Sequence, residues 1–384
     1  MPKVSKPVKN FLNELLVVFL SLKGRYCFRN ISRWGSFCEH TLSRNFAKEF
    51  DFYGFGQVFI DSFLKGKKLI AVVDCSFVTK AGKATFGLDK FFSSTVKKAV
   101  KGLEVSLIAL VDTETREAFS LHTRQTKAGL GQEENRVDYY LQQLELVKGY
   151  LQGKVEYFVG DGFYAKKKVV DKVLELGFQF ISKLRSDANM KYIYQGEHEK
   201  RRGAKNKYEG KVVWKDCFDK FTLVASLENG IKLYSRDVYS VCLKRVVRVV
   251  LLQTYNSKGK MGYALLSSTN TQQDPLEIYH YYSLRFAIEF LFRDAKSHLG
   301  LQHCQAREEN KLCFHFNFVF LVLNLAKWEI LQSGKSSISI ADLKSEYFNR
   351  NYLETIFTKL DLQHELLKNH PNYPLLENWG KIAA

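Results

Sequence analysis

Two largely apolar segments that each run into an aspartate constrain the fold of this 384-residue chain more than any other feature. Leu69–Val73 is a continuous apolar run followed by Asp74, and Val155–Gly160 is a second strand-like run followed by Asp161. A continuous run with β-branched residues is typical of a strand that is buried on both faces of a sheet. A carboxylate at the end of such a strand is costly unless it is paired or binds a metal, and capping of the following turn is the alternative for Asp74. The sequence therefore predicts an α/β fold with two acids at strand ends.

The segments around these strands follow a regular order. Leu103–Asp112 and Arg116–Thr126 have strand composition, and the polar turn Thr113–Thr115 between them predicts a hairpin. Gln132–Leu151 has the length and apolar periodicity of a helix. A lysine-rich helix and the strand Phe178–Ile181 follow the second aspartate. The predicted order is β-β-β-α-β-α-β, with the first three strands antiparallel.

Residues Asp274–Gly300 predict a single helix, because the segment begins with an Asp-Pro pair and ends at a glycine. Tyr282, Arg285, Glu289 and Lys296 recur at steps of three, four and seven residues, so their side chains leave one side of that helix. One interpretation is an ordinary solvated face. The other is a carboxylate that binds a metal ion while its neighbours bind phosphate oxygens.

The charge balance of the chain predicts a polyanionic partner. The net charge is +18 and the isoelectric point is near 9.4. Because the basic residues are spread over the whole chain, nucleic acid is favoured over a membrane surface. Seven cysteines without a C-x2-C pair fit a reducing compartment, and we expect a cytoplasmic protein.

Several other classes of protein are not expected. The lysine-rich start and the apolar run after it predict a helix and not a signal peptide, because Asn13 and Glu14 interrupt the run. Phe314–Leu325 is too short to span a bilayer and predicts a buried core helix, so we expect no membrane partner. The sequence has no complete glycine-rich nucleotide loop, so a nucleotide cofactor is not expected.

The spacing Y-x2-R-x3-E-x6-K, at Tyr282, Arg285, Glu289 and Lys296, resembles the signature of the insertion-sequence-four family of bacterial transposases. The resemblance implies a ribonuclease-H-like core, which is a mixed five-stranded sheet flanked by helices. In that fold the first and fourth strands are parallel neighbours. The two strand-end aspartates would then lie side by side.

The same resemblance implies the roles of individual residues. The catalytic, metal-binding triad would be Asp74, Asp161 and Glu289, holding two Mg²⁺ ions for which Mn²⁺ can substitute. The residues that bind DNA phosphates near the cut would be Tyr282, Arg285 and Lys296. The partners it implies are double-stranded transposon-end and target DNA and a second copy of the chain in a synaptic complex, within a bacterial nucleoid.

We expect five regions along the chain. They are an N-terminal helical domain that either binds DNA or caps the core (1–66), the first part of the catalytic core (67–183), a mostly β insertion (184–260), the remainder of the core with the Glu289 helix (261–335) and a C-terminal helical region with dimerisation as its candidate role (336–384). The insertion contains a basic patch, Glu197–Lys211, that is either a DNA-backbone contact or a solvated loop.

The predicted function is metal-dependent cleavage at transposon ends and strand transfer into target DNA. Two alternatives stay open. A DNA-binding repressor or inactive transposase remnant explains the positive charge but not the three acids. A non-transposing nuclease of the same fold explains the acids but not the Y-R-E-K spacing.

Overall fold

A mixed β-sheet with helices on both faces forms the centre of the protein, as seen in a computed structural model that describes residues 4–64, 66–131, 134–196, 206–228, 230–255, 257, 259–334 and 338–381. The strands are β1 Leu69–Val78, β2 Asp89–Ser93, β3 Lys98–Asp112, β4 Ala118–Gln125, β5 Val155–Gly160, β6 Gln179–Leu184, β7 Met190–Ile193, β8 Tyr208–Lys211, β9 Thr222–Ser226, β10 Lys232–Ser240, β11 Arg245–Tyr255 and β12 Met261–Ser268.

The helices are distributed before, between and after these strands. They are α1 Lys6–Ser21, α2 Phe28–Trp34, α3 Glu39–Phe46, α4 Phe52–Phe63, α5 Arg136–Leu151, α6 Lys167–Glu175, α7 Pro275–Leu284, α8 Phe286–His298, α9 Glu309–Gln332, α10 Ile340–Lys359, α11 His364–Lys368 and α12 Tyr373–Glu377. Helix α1 confirms the prediction of a helix near the N-terminus. Helix α5 begins only at Arg136, where Asn135 forms a capping box with Asp138.

The sheet has the order β2-β3-β1-β5-β6-β12-β11-β10-β7-β8, with β4 paired to β3 and β9 paired to β10. Strand β3 is antiparallel to β1 and β4, which confirms the predicted hairpin and the antiparallel first three strands. Strand β5 is parallel to β1 and to β6. The two aspartate-bearing strands are therefore parallel neighbours, as the resemblance implied.

Strand β1 is buried on both faces, as its composition predicted. Ile70 and Val72 pack into the apolar layer formed with α7, α8 and α9, whereas Ala71 and Val73 pack into the layer formed with α4, α5 and α6. Because side chains alternate along a strand, Asp74 belongs to the same face as Val72. Helix α8 covers that face and contacts β1.

The prediction that Asp74 ends its strand is wrong. Strand β1 continues to Val78, because its pairing with β3 runs unbroken from Leu69 to Val78 and sets Asp74 opposite Leu107. Only the pairing with β5 stops earlier, at Val72 opposite Val159. Asp74 is therefore a mid-strand residue whose β5 side is open.

The prediction of one helix from Asp274 to Gly300 is also wrong, because α7 ends at Leu284 and α8 begins at Phe286. At the junction, Arg285 N donates to Tyr282 O at 3.2 Å and Ile288 N donates to Arg285 O at 3.1 Å. These bonds span three residues, so the chain tightens into a 3₁₀-type turn between the two helices. The predicted ends hold, since Asp274 caps α7 and Gly300 has a left-handed φ of 66° after α8.

The described residues between β6 and β12 include the strands β7 to β11, and β12 pairs both β6 and β11, so these strands extend the same sheet. Most of the predicted basic patch, residues 197–205, lies outside the described residues. Strand β2, which pairs the beginning of β3, was not predicted.

Helix α9 is long and apolar enough to cross a membrane by length and composition alone. Of its most apolar window, 61% is buried inside the protein. Phe316, Phe318 and Phe320 are each no more than 1% exposed. The burial is that of a core helix, as the sequence predicted for Phe314–Leu325.

Candidate active site

The open edge beside β1 and β5 brings the two aspartates to the same end of the sheet. Asp161 follows β5 directly, and the register Val72 opposite Val159 places Asp74 and Asp161 two residues further along their strands. Asp74 Oδ1 accepts a hydrogen bond from Cys75 N at 2.8 Å. Asp161 Oδ1 accepts one from Phe163 N at 2.9 Å, which forms a tight turn after the strand. Both carboxylates are thus oriented by their local backbone.

Arg285 links the helical part of the site to the strands. Its Nη1 lies 3.4 Å from Asp74 Oδ2, and its Nη2 donates to Glu289 Oε1 at 2.6 Å. The Arg285 side chain is 8% exposed, whereas that of Glu289 is 47% exposed. A buried guanidinium therefore holds one half-buried and one accessible carboxylate together.

The guanidinium is incompletely satisfied. Arg285 Nε is buried and has no hydrogen-bond partner within the part of the chain that the structure describes. Its Cζ lies 5.6 Å from the centroid of the Tyr282 ring and 4.8 Å from that of the Phe286 ring. A buried donor without a partner carries a free-energy cost of about 1–3 kcal/mol, which an incoming acceptor would relieve. An anion bound to Arg285 would supply such an acceptor.

The electrostatics of the site oppose a full negative charge on Asp74. Burial, the neighbouring charge of Asp161 and, more weakly, that of Glu289 raise the pKa of Asp74 to about 7, while Arg285 opposes this shift. Asp74 thus lies within the electrostatic field of the other two acids. A cation bound among them would reverse the shift, because it favours the ionised carboxylates.

The donor chemistry fits a hard divalent cation, since three carboxylates supply only oxygen ligands. Their present arrangement does not enclose one, and within the described ranges no group of three acidic, histidine or cysteine side chains is close enough to do so. The Arg285 guanidinium takes the place of a cation between Asp74 and Glu289. A metal ion held by all three acids would require Glu289 to leave Arg285.

Lys296 reaches the same strand by a different contact. Its Nζ donates to Ser76 Oγ at 2.7 Å, and Ser76 lies on the same face of β1 as Asp74, two residues further on. Burial lowers the pKa of Lys296. Tyr282 is 9% exposed and contacts the site through the Arg285 guanidinium. The structure thus brings Tyr282 and Arg285 to the carboxylates, and places Lys296 beside Ser76.

Sequence reasoning missed the residues behind the aspartates. Cys75 Sγ lies 3.2 Å from Tyr164 Oη on the opposite face of β1, and Tyr140 Oη donates to the buried Glu104 carboxylate. These polar groups support the β1–β5 edge from the α5 side. In the sequence, the cysteine that directly follows Asp74 could have indicated these residues, but a search for acidic residues alone ignores it.

Three exposed phenylalanines lie close in sequence to acids of the proposed triad, and sequence reasoning assigned none of them a role. Phe163 follows Asp161 by two residues, and Phe286 and Phe290 flank Glu289 on α8. All three are more than 40% exposed. Their signal was an aromatic residue next to an acid of the proposed triad.

The family model of the transposase DDE domain matches residues 65–325, which is more than half of the chain. The chain therefore belongs to the transposase DDE domain family, whose members cleave DNA and transfer its strands. No curated protein matches the chain significantly.

Solved structures show only distant similarity. Endonuclease V of Ciona intestinalis in complex with DNA is 12% identical, with 74% of this chain and 97% of that chain covered and a TM-score of 0.25. The Mos1 strand transfer complex is 14% identical, with 47% and 60% covered and a TM-score of 0.18. The pre-cleavage Mos1 transpososome is 11% identical, with 40% and 53% covered and a TM-score of 0.17.

Proposed function

We propose that this protein is an insertion-sequence transposase of the insertion-sequence-four family that cuts transposon ends and joins them to target DNA. The observation that carries the proposal is the contact of Arg285 with both Asp74 and Glu289, because it joins two members of the proposed triad and one residue of the Y-R-E-K spacing in a single site. The family match supports the same chemistry. The strand order β4-β3-β1-β5-β6 supports a ribonuclease-H-like core.

The residues that hold the metal ions in this proposal are Asp74, Asp161 and Glu289. Two Mg²⁺ ions, or Mn²⁺ in their place, supply activation of the attacking oxygen and stabilisation of the leaving oxygen when bound. Asp74 and Asp161 are already oriented by backbone amides. Glu289 is the adaptable ligand, since its side chain is exposed and needs only to leave Arg285.

Arg285, Tyr282 and Lys296 bind the DNA backbone beside the cut. Arg285 exchanges its carboxylate partners for a phosphate, which it can grip with two parallel hydrogen bonds. The unpaired Nε supports this role, because a phosphate supplies the acceptor that Nε lacks. The hydrogen bond from Lys296 to Ser76 places the Lys296 ammonium group beside the strand that holds Asp74.

The remaining organisation follows the sequence expectations. We propose a helical DNA-binding region at 1–66, a core divided into 67–183 and 261–335 by an insertion at 184–260, and a C-terminal dimerisation region at 336–384. The positive charge of +18 supports transposon-end and target DNA as partners and a nucleoid-associated, cytoplasmic location. Synapsis of two ends by a homodimer belongs to the same proposal.

The decisive experiment uses the inverted repeats expected in the DNA that flanks the gene. A labelled duplex carrying one repeat is incubated with the protein, Mg²⁺ and a supercoiled target plasmid. A transposase cuts at the repeat boundary and joins the end to the plasmid. Cutting without joining would identify a nuclease, and binding without cutting would identify a repressor.

A further inference from the structure

A basic cleft lies where β1 and α8 both end. After β1, the segment 79–85 faces the segment 302–307, which follows α8, and the two segments with Arg25 enclose a volume of about 740 Å³. The polar side chains that line it include Arg25, Lys80, Lys83, His303, Gln305 and Arg307. The cleft is thus attached to the two elements that carry Asp74 and Glu289.

Contacts between the two segments hold the cleft in shape. Lys80 Nζ donates to the backbone oxygens of Cys304 and Ala306, the latter at 2.9 Å. Phe86 N donates to Arg307 O at 2.8 Å. These bonds join the segments without an acidic side chain. The cleft is therefore a defined part of the fold.

The charge of the cleft is uncompensated. No aspartate or glutamate lines it. Across the described portion of the chain, Arg25, Lys80, Lys83 and Arg307 form no ion pair with a carboxylate. Cations gathered without counter-charge repel one another, and a bound anion relieves that repulsion.

Two cations on the surface that adjoins the cleft are paired with carboxylates, unlike those of the cleft. On the adjoining face of the segment 304–308, Arg29 pairs with Glu39 at 3.5 Å and Lys311 pairs with Glu308 at 2.8 Å. Cations of the cleft wall and cations next to it therefore differ in their partners. Among the described residues, the cleft cations therefore have no carboxylate to compete with a bound anion.

His303 adds a neutral donor to the cleft. Its Nδ1 accepts a hydrogen bond from Tyr26 N at 3.5 Å, which leaves Nε2 to carry the ring proton. Burial and the charge of Arg25 lower the pKa of His303, so the neutral ring prevails at neutral pH. Arginine, lysine and neutral N–H donors are the groups that contact DNA phosphates.

We propose that this cleft binds the phosphodiester backbone of the transposon-end duplex at a point away from the cut. The proposal rests on the proposed function, because it takes the scissile phosphate to lie at Asp74. A strand advances about 3.3 Å per residue, so Thr79 lies about 17 Å beyond Asp74. With the duplex axis along β1, and with the phosphates of one strand spaced about 3.4 Å along that axis, the contact falls about five nucleotides from the cut.

The test combines a protein variant with a modified DNA. Lys83 and Arg307 are exposed, so the variant Lys83→Gln/Arg307→Gln removes two charges from the cleft without removing core contacts. Binding is measured by fluorescence anisotropy, without divalent metal, on the inverted-repeat duplex. A second duplex carries neutral methylphosphonates about five nucleotides from the cut, at the spacing given by the strand rise.

For wild type, the neutral linkages are expected to weaken binding about five- to tenfold. The double variant is expected to bind the unmodified duplex about five- to tenfold more weakly than wild type does. It should lose little further affinity when the duplex carries the methylphosphonates. Its dependence of log Kd on log salt falls by about two. Equal losses for wild type and variant on the modified duplex would overturn the proposal.

The charge-matched control is Lys232→Gln/Lys359→Gln, which removes two exposed lysines on β10 and α10. It should remain as sensitive to the methylphosphonates as wild type. A control that loses this sensitivity would show a general charge effect and overturn the cleft assignment. Failure of wild type to cut the repeat would instead reject the proposed function, so the two failures are distinct.

Discussion

Arg285 Nη1 lies 3.4 Å from Asp74 Oδ2, although the two residues are 211 positions apart in the chain. The contact places a guanidinium of the α7–α8 junction against a carboxylate in the middle of β1. Because the same guanidinium also holds Glu289, it acts as an internal counter-ion for two proposed metal ligands.

The first prediction concerns the three acids. Asp74→Asn, Asp161→Asn and Glu289→Gln should each reduce Mg²⁺-dependent cleavage by at least about a thousandfold, because each removes a charged metal ligand. DNA binding should persist, since the phosphate-binding cations are unchanged. Single-turnover cleavage and anisotropy on the same duplex measure both effects. If a variant still cuts at the wild-type rate, the residue that it replaces is not a member of the triad.

The second prediction separates a phosphate-binding Arg285 from a merely structural one. Arg285→Ala should slow cleavage and weaken binding to the end duplex, and Arg285→Lys should restore only part, because an ammonium cannot bind a phosphate with two parallel bonds. Cleavage rate and binding affinity are measured for both variants, and circular dichroism verifies that they are folded like wild type.

Arg293→Ala is the control for Arg285. Arg293 is on the same helix, its side chain is 63% exposed, and it contacts only the adjacent Asp294 among carboxylates of the described chain. Its removal should change stability by within about 0.5 kcal/mol and leave cleavage unaltered. Equal cleavage by wild type and Arg285→Ala would favour the interpretation of the charged stripe as a solvated face.

The third prediction is a pH dependence of stability in the absence of metal. The folded-state pKa of Asp74 is about 7, above its ordinary value of 3.8. The folded protein therefore binds the Asp74 proton more tightly than the unfolded chain does. The stability that this proton contributes is fully present below about pH 4 and is lost as the pH rises through about 7.

Asp74→Asn should flatten this dependence. Between about pH 5 and about pH 8, wild type should lose roughly 1–3 kcal/mol more of its free energy of unfolding than the variant does, as measured by urea denaturation in EDTA. Added Mg²⁺ should reduce the loss in wild type, since a bound cation favours the ionised carboxylate. Parallel pH profiles for the two proteins would refute the assignment of this titration to Asp74.

The fourth prediction concerns the end of α8. Gly300 has a φ of 66°, and a Cβ at this position would lie 2.2 Å from the Tyr26 ring, whose hydroxyl donates to His298 O at 2.6 Å. Gly300→Ala should therefore combine backbone strain with a clash and cost about 2–4 kcal/mol.

Gly153→Ala is the matched control, because Gly153 has a φ of 76° and no atom within 4 Å of the added Cβ. It should cost only the backbone strain, about 1 kcal/mol. Thermal and urea denaturation compare the two. Equal costs would show that the Tyr26 ring yields freely to the new methyl group.

The fifth prediction is a steep salt dependence of DNA binding. A chain of net charge +18 that contacts several phosphates releases their counter-ions, so log Kd should rise with log salt with a slope of about three or more. Anisotropy titrations over a range of NaCl concentrations measure the slope. A flat response would contradict nucleic acid as the main partner.

Local sequence was sufficient for much of the secondary structure. The β-branched run at Leu69–Val73, the apolar periodicity before Leu151 and the Asp274–Pro275 start each express a preference of the backbone or of one helix face, which needs no distant partner. The spacing of Tyr282, Arg285, Glu289 and Lys296 likewise identified the stripe before its neighbours were known.

Tertiary structure decided where those residues act. Asp74 lies mid-strand because β3 continues to pair beyond the end of β5, and Arg285 lies at a helix junction where it contacts that strand. The basic cleft exists only because segments more than two hundred residues apart meet at Lys80 and Cys304. Sheet order and register set such contacts, and both depend on the whole chain, so no local pattern contains them.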